Sequence, residues 1–553
     1  MNKEKIKSLI FRIKQNGIKP TLRKAKNYIL YKKTVPNEYK EWKINNEPNK
    51  KNIDYQKKYK SCQNIKFTII IPNKNEIQEK SIENQTYKNF EILYSDEQNY
   101  EQLLENATGD YIIFMDETKI LLPFALYEIV QAITNNYTIF LYSDSDEINK
   151  EKRENPDFKL GFGIDTILSK NFIGNFFIIQ KKFLKYNKDI LKQLDKEIYY
   201  DIILRIIEKT DKIYHIQKIL YSELNLNKMI DTINEKKCIQ KYLERNNIGY
   251  KTIEDGKYIG QYHITYNIYE NEKISIIIPN KDQIEDLKKC IESIEKLSTY
   301  TNYEIVIVEN NSEDTKTFDY YKKIENKYKN IKIVKFPITY FNYSSIINFG
   351  VKNSDGKYII LLNNDIEIIT ENWMEEMLMY AQRKDVGICG AKLYFPDRSI
   401  QHAGVTIGIR GLAGHRYHKL KEEEFTQKDS INFVQNINAV TAACFIVEKE
   451  LYNKLLGFDE KLAVAFNDID FCLKVRKENK LIVYNPFVEM YHYESKSRGQ
   501  DTISKEKQDR FAKEYEIFVR RWAKTIESGD QYFNTNYRLD TDIPTINYNK
   551  IKQ

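Results

Sequence analysis

The chain has 553 residues, 41% of them hydrophobic and 30% charged, with a formal net charge of +8. That length suits two to four domains with real cores, and the composition fits a soluble globular protein. The charge is unevenly placed: residues 1–60 hold 18 Lys and Arg against 5 Asp and Glu, a surplus of 13 that leaves the remainder at −5. A mildly acidic body argues against a nucleic-acid groove. The six cysteines, Cys62, Cys238, Cys290, Cys389, Cys444 and Cys472, form no CxxC pair or metal-ligand spacing. They read as buried thiols of a reducing compartment. No apolar run of about 18 residues occurs, so neither a membrane span nor a signal-peptide core is expected.

In chain order, residues 1–62 read as basic amphipathic helices and a linker. Ile6, Leu9, Ile10 and Ile13 share one helical face, ringed by Lys3, Lys5, Lys7 and Lys14. Such a helix suits an anionic membrane surface, and residues 1–33 are the expected contact; docking on the protein's own body is the alternative. Residues 63–230 read as a first α/β domain, with strands at Phe67–Ile71, Glu91–Tyr94, Tyr111–Met115 and Thr138–Tyr142. Residues 231–272 read as a helical connector. Residues 273–500 read as a second α/β domain. Its strand Ile274–Ile278 precedes a helix with Ile284, Leu287, Ile291, Ile294 and Leu297 at the 3.6-residue period. Strands Glu304–Val308, Ile331–Val334 and Tyr358–Leu362 follow. Residues 501–553 read as a C-terminal helical extension. Alternating strands and helices imply a largely parallel sheet covered on both faces, with ligands beyond the strands' carboxyl ends. Pro279, Glu309 and Asn363–Asp365 follow strand ends and are expected to converge on one crevice.

The two α/β domains echo each other. FTIIIPNKN (67–75) matches ISIIIPNKD (274–282), and GDYIIFMDETKI (109–120) matches GKYIILLNNDIEI (356–368). Two landmarks in the same order indicate a duplicated domain. Laid on Gly109 and Gly356, Thr118 falls where Asp365 falls, so a site needing an anionic oxygen there works only in the second copy.

Three features of the second copy carry chemistry. Asn363-Asn364-Asp365 offers hard oxygen ligands for Mg²⁺ or Mn²⁺, which can hold a diphosphate; a turn or cap is the structural alternative. Asp468 and Asp470 open a helix, where acids are favoured by the dipole, and one of them could act as a general base. His492 is either a packed histidine or a metal ligand.

Together, in this order, these stretches resemble family 2 glycosyltransferases of the GT-A fold. The resemblance rests on ISIIIPNKD (274–282), EIVIVENNSED (304–314), GKYIILLNNDIEI (356–368), NAVTAACFIVEKELYNKLLGFDE (438–460) and AFNDIDFCLKVRKENKLIVYNPFVEMYHYESKSRG (465–499). QTYKNFEIL (85–93) and ALYEIVQAI (125–133) extend it to the first copy. It implies two tandem GT-A, Rossmann-like domains of the kind found in bacterial surface-polysaccharide and O-antigen synthesis. It implies Pro279 and Lys281 at the nucleotide-base pocket and Glu309 in place of the family's base- or ribose-binding Asp. Asn363-Asn364-Asp365 stands for the DxD motif, with Asp365 holding a divalent metal and Asn364 the ribose or phosphate. His492 completes the metal sphere, and Asp468 is the catalytic base. Asn348 is expected near the nucleotide, and His402, His415 and Asp470 near substrate. The implied partners are a UDP- or dTDP-sugar donor and a glycan or lipid-linked saccharide acceptor. The implied reaction is inverting transfer in the cytoplasm, at the inner face of the plasma membrane if residues 1–33 bind it.

The first copy keeps Asp96 at the place of Glu309 and Asp116-Glu117-Thr118 at the DxD place. It has Tyr199 where relatives carry the base, although Asp201 persists, and Ser222 where they carry the histidine. These losses imply a non-catalytic first copy. The alternatives are a chain with two active transferases, or a glycan-binding scaffold with none.

Overall fold

The computed structural model describes residues 37–58, 64–95, 99–192, 194, 198–224, 230–424, 430–494 and 504–549. Residues 1–33, Cys62 and Asp96 lie outside them. Two mixed β-sheets organise the chain. The first contains β1 (Phe67–Ile71), β2 (Phe90–Tyr94), β3 (Tyr111–Met115), β4 (Lys119–Leu121), β5 (Phe140–Asn149), β6 (Lys152–Asp157), β7 (Phe176–Gln180) and β8 (Ile213–Leu224). Its order is β2-β1-β3-β7-β5-β8-β4, with β6 paired to β5. β9 (Tyr250–Asp255) and β10 (Tyr262–Tyr266) form a separate antiparallel pair. The second sheet contains β11 (Ile274–Asn280), β12 (Tyr303–Glu309), β13 (Ile331–Lys335), β14 (Tyr358–Leu362), β15 (Ile366–Ile368), β16 (Val386–Tyr394), β17 (Ile400–His402), β20 (Gln435–Ile437), β21 (Cys444–Glu448) and β22 (Leu481–His492), while β18 (Val405–Ile407) and β19 (Ala413–His415) pair apart from it. Its order is β13-β12-β11-β14-β21-β16-β22-β15. With β13 set aside, every strand of the second path has a counterpart in the first.

The sheets are mixed rather than largely parallel. β12, β11 and β14 run parallel, but β21 runs antiparallel to β14, and β7 likewise opposes β3. A parallel neighbour needs a crossover that returns the chain to the strand's starting end. The chain instead enters β21 at Cys444, beside Leu362. That places residues 438–443 at the carboxyl end of β14, next to Asn363–Asp365. The connector also differs from expectation. Its helix Thr232–Arg245 is followed by β9 and β10, where Tyr262, Ile264 and Tyr266 are buried and His263 and Thr265 only partly so. That alternation is a strand period, inconspicuous in so polar a stretch.

The helix after β11, Ile284–Leu297, buries Leu287, Cys290, Ile291 and Ile294, whereas its counterpart after β1, Glu76–Glu83, is shorter and buries only Gln78 and Ile82. At the sheet end away from the crevice the copies share three contacts to one glutamate. The Glu91 carboxylate accepts from Thr68 Oγ1 (2.6 Å), Thr108 N (2.6 Å) and Lys66 Nζ (3.0 Å). The Glu304 carboxylate accepts from Ser275 Oγ (2.5 Å), Asp355 N (2.6 Å) and Lys273 Nζ (3.2 Å). Gly109 N donates to Thr68 Oγ1 and Gly356 N to Ser275 Oγ. A Cβ on either glycine would lie 2.5 Å from Thr68 N or 2.6 Å from Ser275 N. This explains why both landmarks open on glycine.

The helix Lys505–Ser528 packs Phe518 and Trp522 with Leu473 and Ile407. The chain then crosses to the first sheet, where Asn534 and Asn536 each donate to the buried Asp144 carboxylate at 3.0 Å. Trp42, in a helix spanning residues 37–46, donates to Asn536 Oδ1 at 3.1 Å. The five described cysteines are buried.

Candidate functional site

The crevice lies where β11, β12 and β14 end. Glu309, 2% exposed, accepts from Ser312 N at 2.5 Å through Oε1. Its other oxygen is buried with no hydrogen-bond partner. Such an atom costs about 1–3 kcal/mol unless a ligand satisfies it. Pro279 is half-buried, while Lys281 is exposed and paired with Glu313 at 3.1 Å. Between them, Asn280 is buried. It donates to Tyr321 Oη (2.8 Å) and Asp282 O (2.9 Å) and accepts from Asn364 Nδ2 (2.7 Å). Asn280 therefore fixes Asn364 against the first strand.

Asp365 and His492 meet because β15 and β22 pair with Ile366 opposite His492. Their Oδ1 and Nε2 atoms lie 3.2 Å apart, and Asn363 Nδ2 is 3.3 Å from the same His492 nitrogen. Asp365 Oδ1 and His492 Nδ1 are buried without hydrogen-bond partners. Two ligand atoms at right angles on an octahedral Mg²⁺ sit about 3 Å apart. The hard oxygen and the imidazole therefore fit a small divalent cation, with open positions left for a diphosphate.

Asp468 is the first-turn acid of helix Asn467–Lys477. Phe466, just before it, has a left-handed backbone (φ 64°) and stacks on Phe518 of the C-terminal helix at 5.0 Å. A non-glycine residue holds that conformation only where its surroundings impose it. Asp468 is half-buried and accepts from Ala442 N at 3.2 Å and Ile469 N at 2.8 Å. Carboxylate oxygens have two lone pairs each, so capacity remains for an incoming hydroxyl. Tyr343 links the two sides: its hydroxyl lies 3.2 Å from Asn363 Oδ1 and 3.5 Å from Ala442 O. Burial first, then the charges of Asp468 and Asp365, push this phenol far above its ordinary pKa. It stays a neutral donor between Asn363 and Ala442.

His402 is fully buried, and its Nε2 accepts from Gly404 N (3.3 Å) and Thr441 N (3.4 Å). Its Nδ1 lies 2.9 Å from His415 Nδ1. Burial pushes both rings below the ordinary histidine pKa, with His415 and His492 adding to the effect at His402 and Asp468 opposing it at His415. His402 is thus fully buried and held by backbone amides, with its Nδ1 against His415.

Two other residues leave the site. Asn348 spends its amide on the 452–460 loop: Nδ2 donates to Phe458 O (2.9 Å), and Oδ1 accepts from Tyr452 Oη (2.7 Å) and Phe458 N (3.0 Å). Asp470, fully buried, accepts from Arg521 Nη1 (2.7 Å) and Trp522 Nε1 (2.8 Å). It anchors the C-terminal helix, as Asp201 anchors helix Thr232–Arg245 through Arg245 at 3.7 Å. A spacing of two residues along a helix turns Asp470 away from the face of Asp468.

The Glycosyl transferase family 2 pattern matches residues 275–456, spanning Glu309, Tyr343 and Asn363–Asp365. Residues 275–456 match as a family 2 glycosyltransferase domain. The GT-A fold of that family is the fold of the chain's second sheet. The chain is also similar to "Uncharacterized protein y4gI" of Sinorhizobium fredii (strain NBRC 101917 / NGR234), with 33% identity over 79% of this chain and 49% of the relative. It is similar to "O-antigen biosynthesis protein RfbC" of Myxococcus xanthus, with 29% identity over 71% of this chain and 32% of that protein. It therefore spans about half of one curated relative and a third of the other. Among solved structures, GalNAc-T7 with UDP, GalNAc and Mn²⁺ aligns over 50% of this chain and 53% of that one, with 14% identity and a TM-score of 0.39. TarS 1–349 of S. aureus with UDP-GlcNAc aligns over 42% and 61%, with 15% identity and a TM-score of 0.32.

The first sheet corrects one correspondence. β4 pairs with β8 so that Lys119 opposes Glu223 and Ile120 opposes Ser222. Because Lys119 stands where Ile366 stands, the counterpart of His492 is Glu223, not Ser222. Sequence spacing missed this because β8 is read through its partner strand rather than its own residues. Tyr199 is at the expected base position, and its hydroxyl donates to Met115 O at 3.2 Å.

Proposed function

We propose that this chain transfers a sugar from a UDP- or dTDP-sugar to a hydroxyl of a glycan or lipid-linked saccharide, with inversion, in the synthesis of a cell-surface polysaccharide. The observation that carries the proposal is the connected crevice, to which the family 2 match contributes Glu309, Tyr343 and Asn363–Asp365. Asp365 and His492 form a cation-sized pair, Asp468 accepts from Ala442 N, and the Tyr343 hydroxyl spans from Asn363 to Ala442. The O-antigen role of the RfbC relative supports the polysaccharide assignment.

Glu309, through its unsatisfied oxygen, takes the base or ribose, and Asn364, held by Asn280, takes the ribose or phosphate. A Mn²⁺ or Mg²⁺ on Asp365 and His492 would offset charge developing on the departing diphosphate. Asp468 accepts the proton of the acceptor hydroxyl as its oxygen attacks the anomeric carbon. One carboxylate base with no enzyme nucleophile gives a single displacement and therefore inversion. His415, kept neutral, donates towards the substrate beside Asp468. The second copy performs this chemistry and the first does not. Residues 1–33 are proposed to hold the protein at an anionic membrane face; among the described residues no helix is long and apolar enough to cross a membrane.

A screen of UDP- and dTDP-sugars for nucleotide release, with purified protein and Mn²⁺, tests the proposal. One donor turned over, with loss of release in EDTA, is expected. Full activity in chelator would remove the metal from the mechanism.

A further inference from the structure

We propose that the first crevice carries its own cation: the Lys119 ammonium stands in the place that Asp365 and His492 offer a metal in the second crevice. The inference rests on that reading of Asp365 and His492. The two sheets define the equivalence. β4 pairs with β8 as β15 pairs with β22, so Thr118, Lys119 and Glu223 stand where Asp365, Ile366 and His492 stand. The metal-ligating acid has become a hydroxyl, the histidine has become a carboxylate, and the apolar residue between them has become a lysine.

The lysine is built in. Lys119 is 5% exposed, and its Nζ lies 3.0 Å from Thr118 Oγ1, 3.3 Å from Glu223 Oε1 and 3.6 Å from Asp116 Oδ1. Two of these oxygens lie within hydrogen-bond distance, and the Asp116 charge adds an ion pair just beyond it. Burial alone would lower its pKa, but Glu223, Asp116 and Tyr221 raise it, so it stays charged. The acid of the crevice is internally satisfied as well, although Gln78 Oε1 is buried without a hydrogen-bond partner. Asp116 accepts from Thr118 N (2.9 Å), Thr118 Oγ1 (2.6 Å) and Asn175 Nδ2 (2.8 Å). Gln78, from the shortened helix, donates to Asp116 O (2.6 Å) and Lys119 O (3.1 Å). Asp365 Oδ1 and His492 Nδ1, by contrast, are buried without hydrogen-bond partners. A divalent ion could enter the first crevice only by breaking a buried ion pair, which is strongly unfavourable. The first domain is therefore metal-blind by construction.

The test counts Mn²⁺ by electron paramagnetic resonance and follows thermal unfolding with and without Mn²⁺. Both are done in an Asp365→Ala/His492→Ala background, so the result does not depend on the second crevice. That parent is expected to bind no ion and to show no Mn²⁺-dependent shift. Adding Thr118→Asp/Lys119→Ile/Glu223→His, the second copy's residues at all three positions, is expected to restore one bound ion and a Mn²⁺-dependent rise in Tm of a few degrees. One tightly bound ion in the parent overturns the inference, as does a folded variant that gains none. If the variant does not fold, the parent's ion count alone decides. Absence of any ion in the wild-type protein would instead sink the proposed metal site of the second crevice.

Discussion

The two sheets share a strand order and differ in what they leave unsatisfied. Away from the crevice they repeat one device: Glu91 and Glu304 each gather a hydroxyl, a backbone amide and a lysine. At the crevice they diverge. The second copy holds buried atoms of Glu309, Asp365 and His492 without hydrogen-bond partners, while the first answers Asp116 with Lys119, Asn175 and Thr118. Folding and the proposed chemistry therefore occupy opposite ends of the same sheet. A duplicated domain can lose the second and keep the first, because the polar cluster stabilises the fold and an unsatisfied crevice costs stability.

The sharpest way to break the comparison is at the base. Asp468→Asn is expected to lower kcat by roughly 10²–10⁴-fold, the usual worth of a general base, with nucleotide binding retained in calorimetry. Tyr199→Phe, at the matching position, is expected to leave kcat unchanged. Near wild-type turnover by Asp468→Asn would remove it as base. Next comes the cation. Asp365→Ala is expected to abolish Mn²⁺ binding, and Thr118→Ala to leave the bound-ion count as it was.

Much of this contrast is legible in the sequence. The landmarks place β1, β3, β11 and β14, and the Thr118/Asp365 difference is visible directly. What is not legible depends on pairing across strands. Glu223 replaces His492 only through the β4–β8 register, and Asn280 and Tyr343 act through partners 84 and 20 residues away. Asn280 stood inside the PNKD motif, the one local signal available. Asp470 looked like a second catalytic acid because helix-start acids resemble one another in sequence, and only its contact with Arg521 assigns it.

That anchor gives a smaller expected effect, equal in both copies. Asp470→Ala leaves Trp522 Nε1 without its partner, and Asp201→Ala removes the partner of Arg205 at 3.0 Å. Each is expected to cost on the order of 3 kcal/mol in urea unfolding. A clear inequality would show that the copies do not share this device. The smallest effect lies in acid. Burial pushes Glu91 and Glu304 up, but hydrogen bonds led by Thr108 and Ser275 outweigh it and bring both down to about 2. Carboxylates depressed on folding contribute stability that is whole above their ordinary pKa of 4.5 and is lost as pH falls towards 2. Glu91→Gln and Glu304→Gln are each expected to flatten the loss of stability over that window to a similar degree, as read by Tm against pH.

The central claim is that one crevice in this chain does the chemistry. It is tested most directly by sugar transfer from the donor found in the screen, with wild type compared against Asp365→Ala/Asp468→Asn. The account predicts transfer by the wild type and none above background by the double variant. Residual transfer to the same acceptor by the folded double variant would place a working site in the first copy and contradict it.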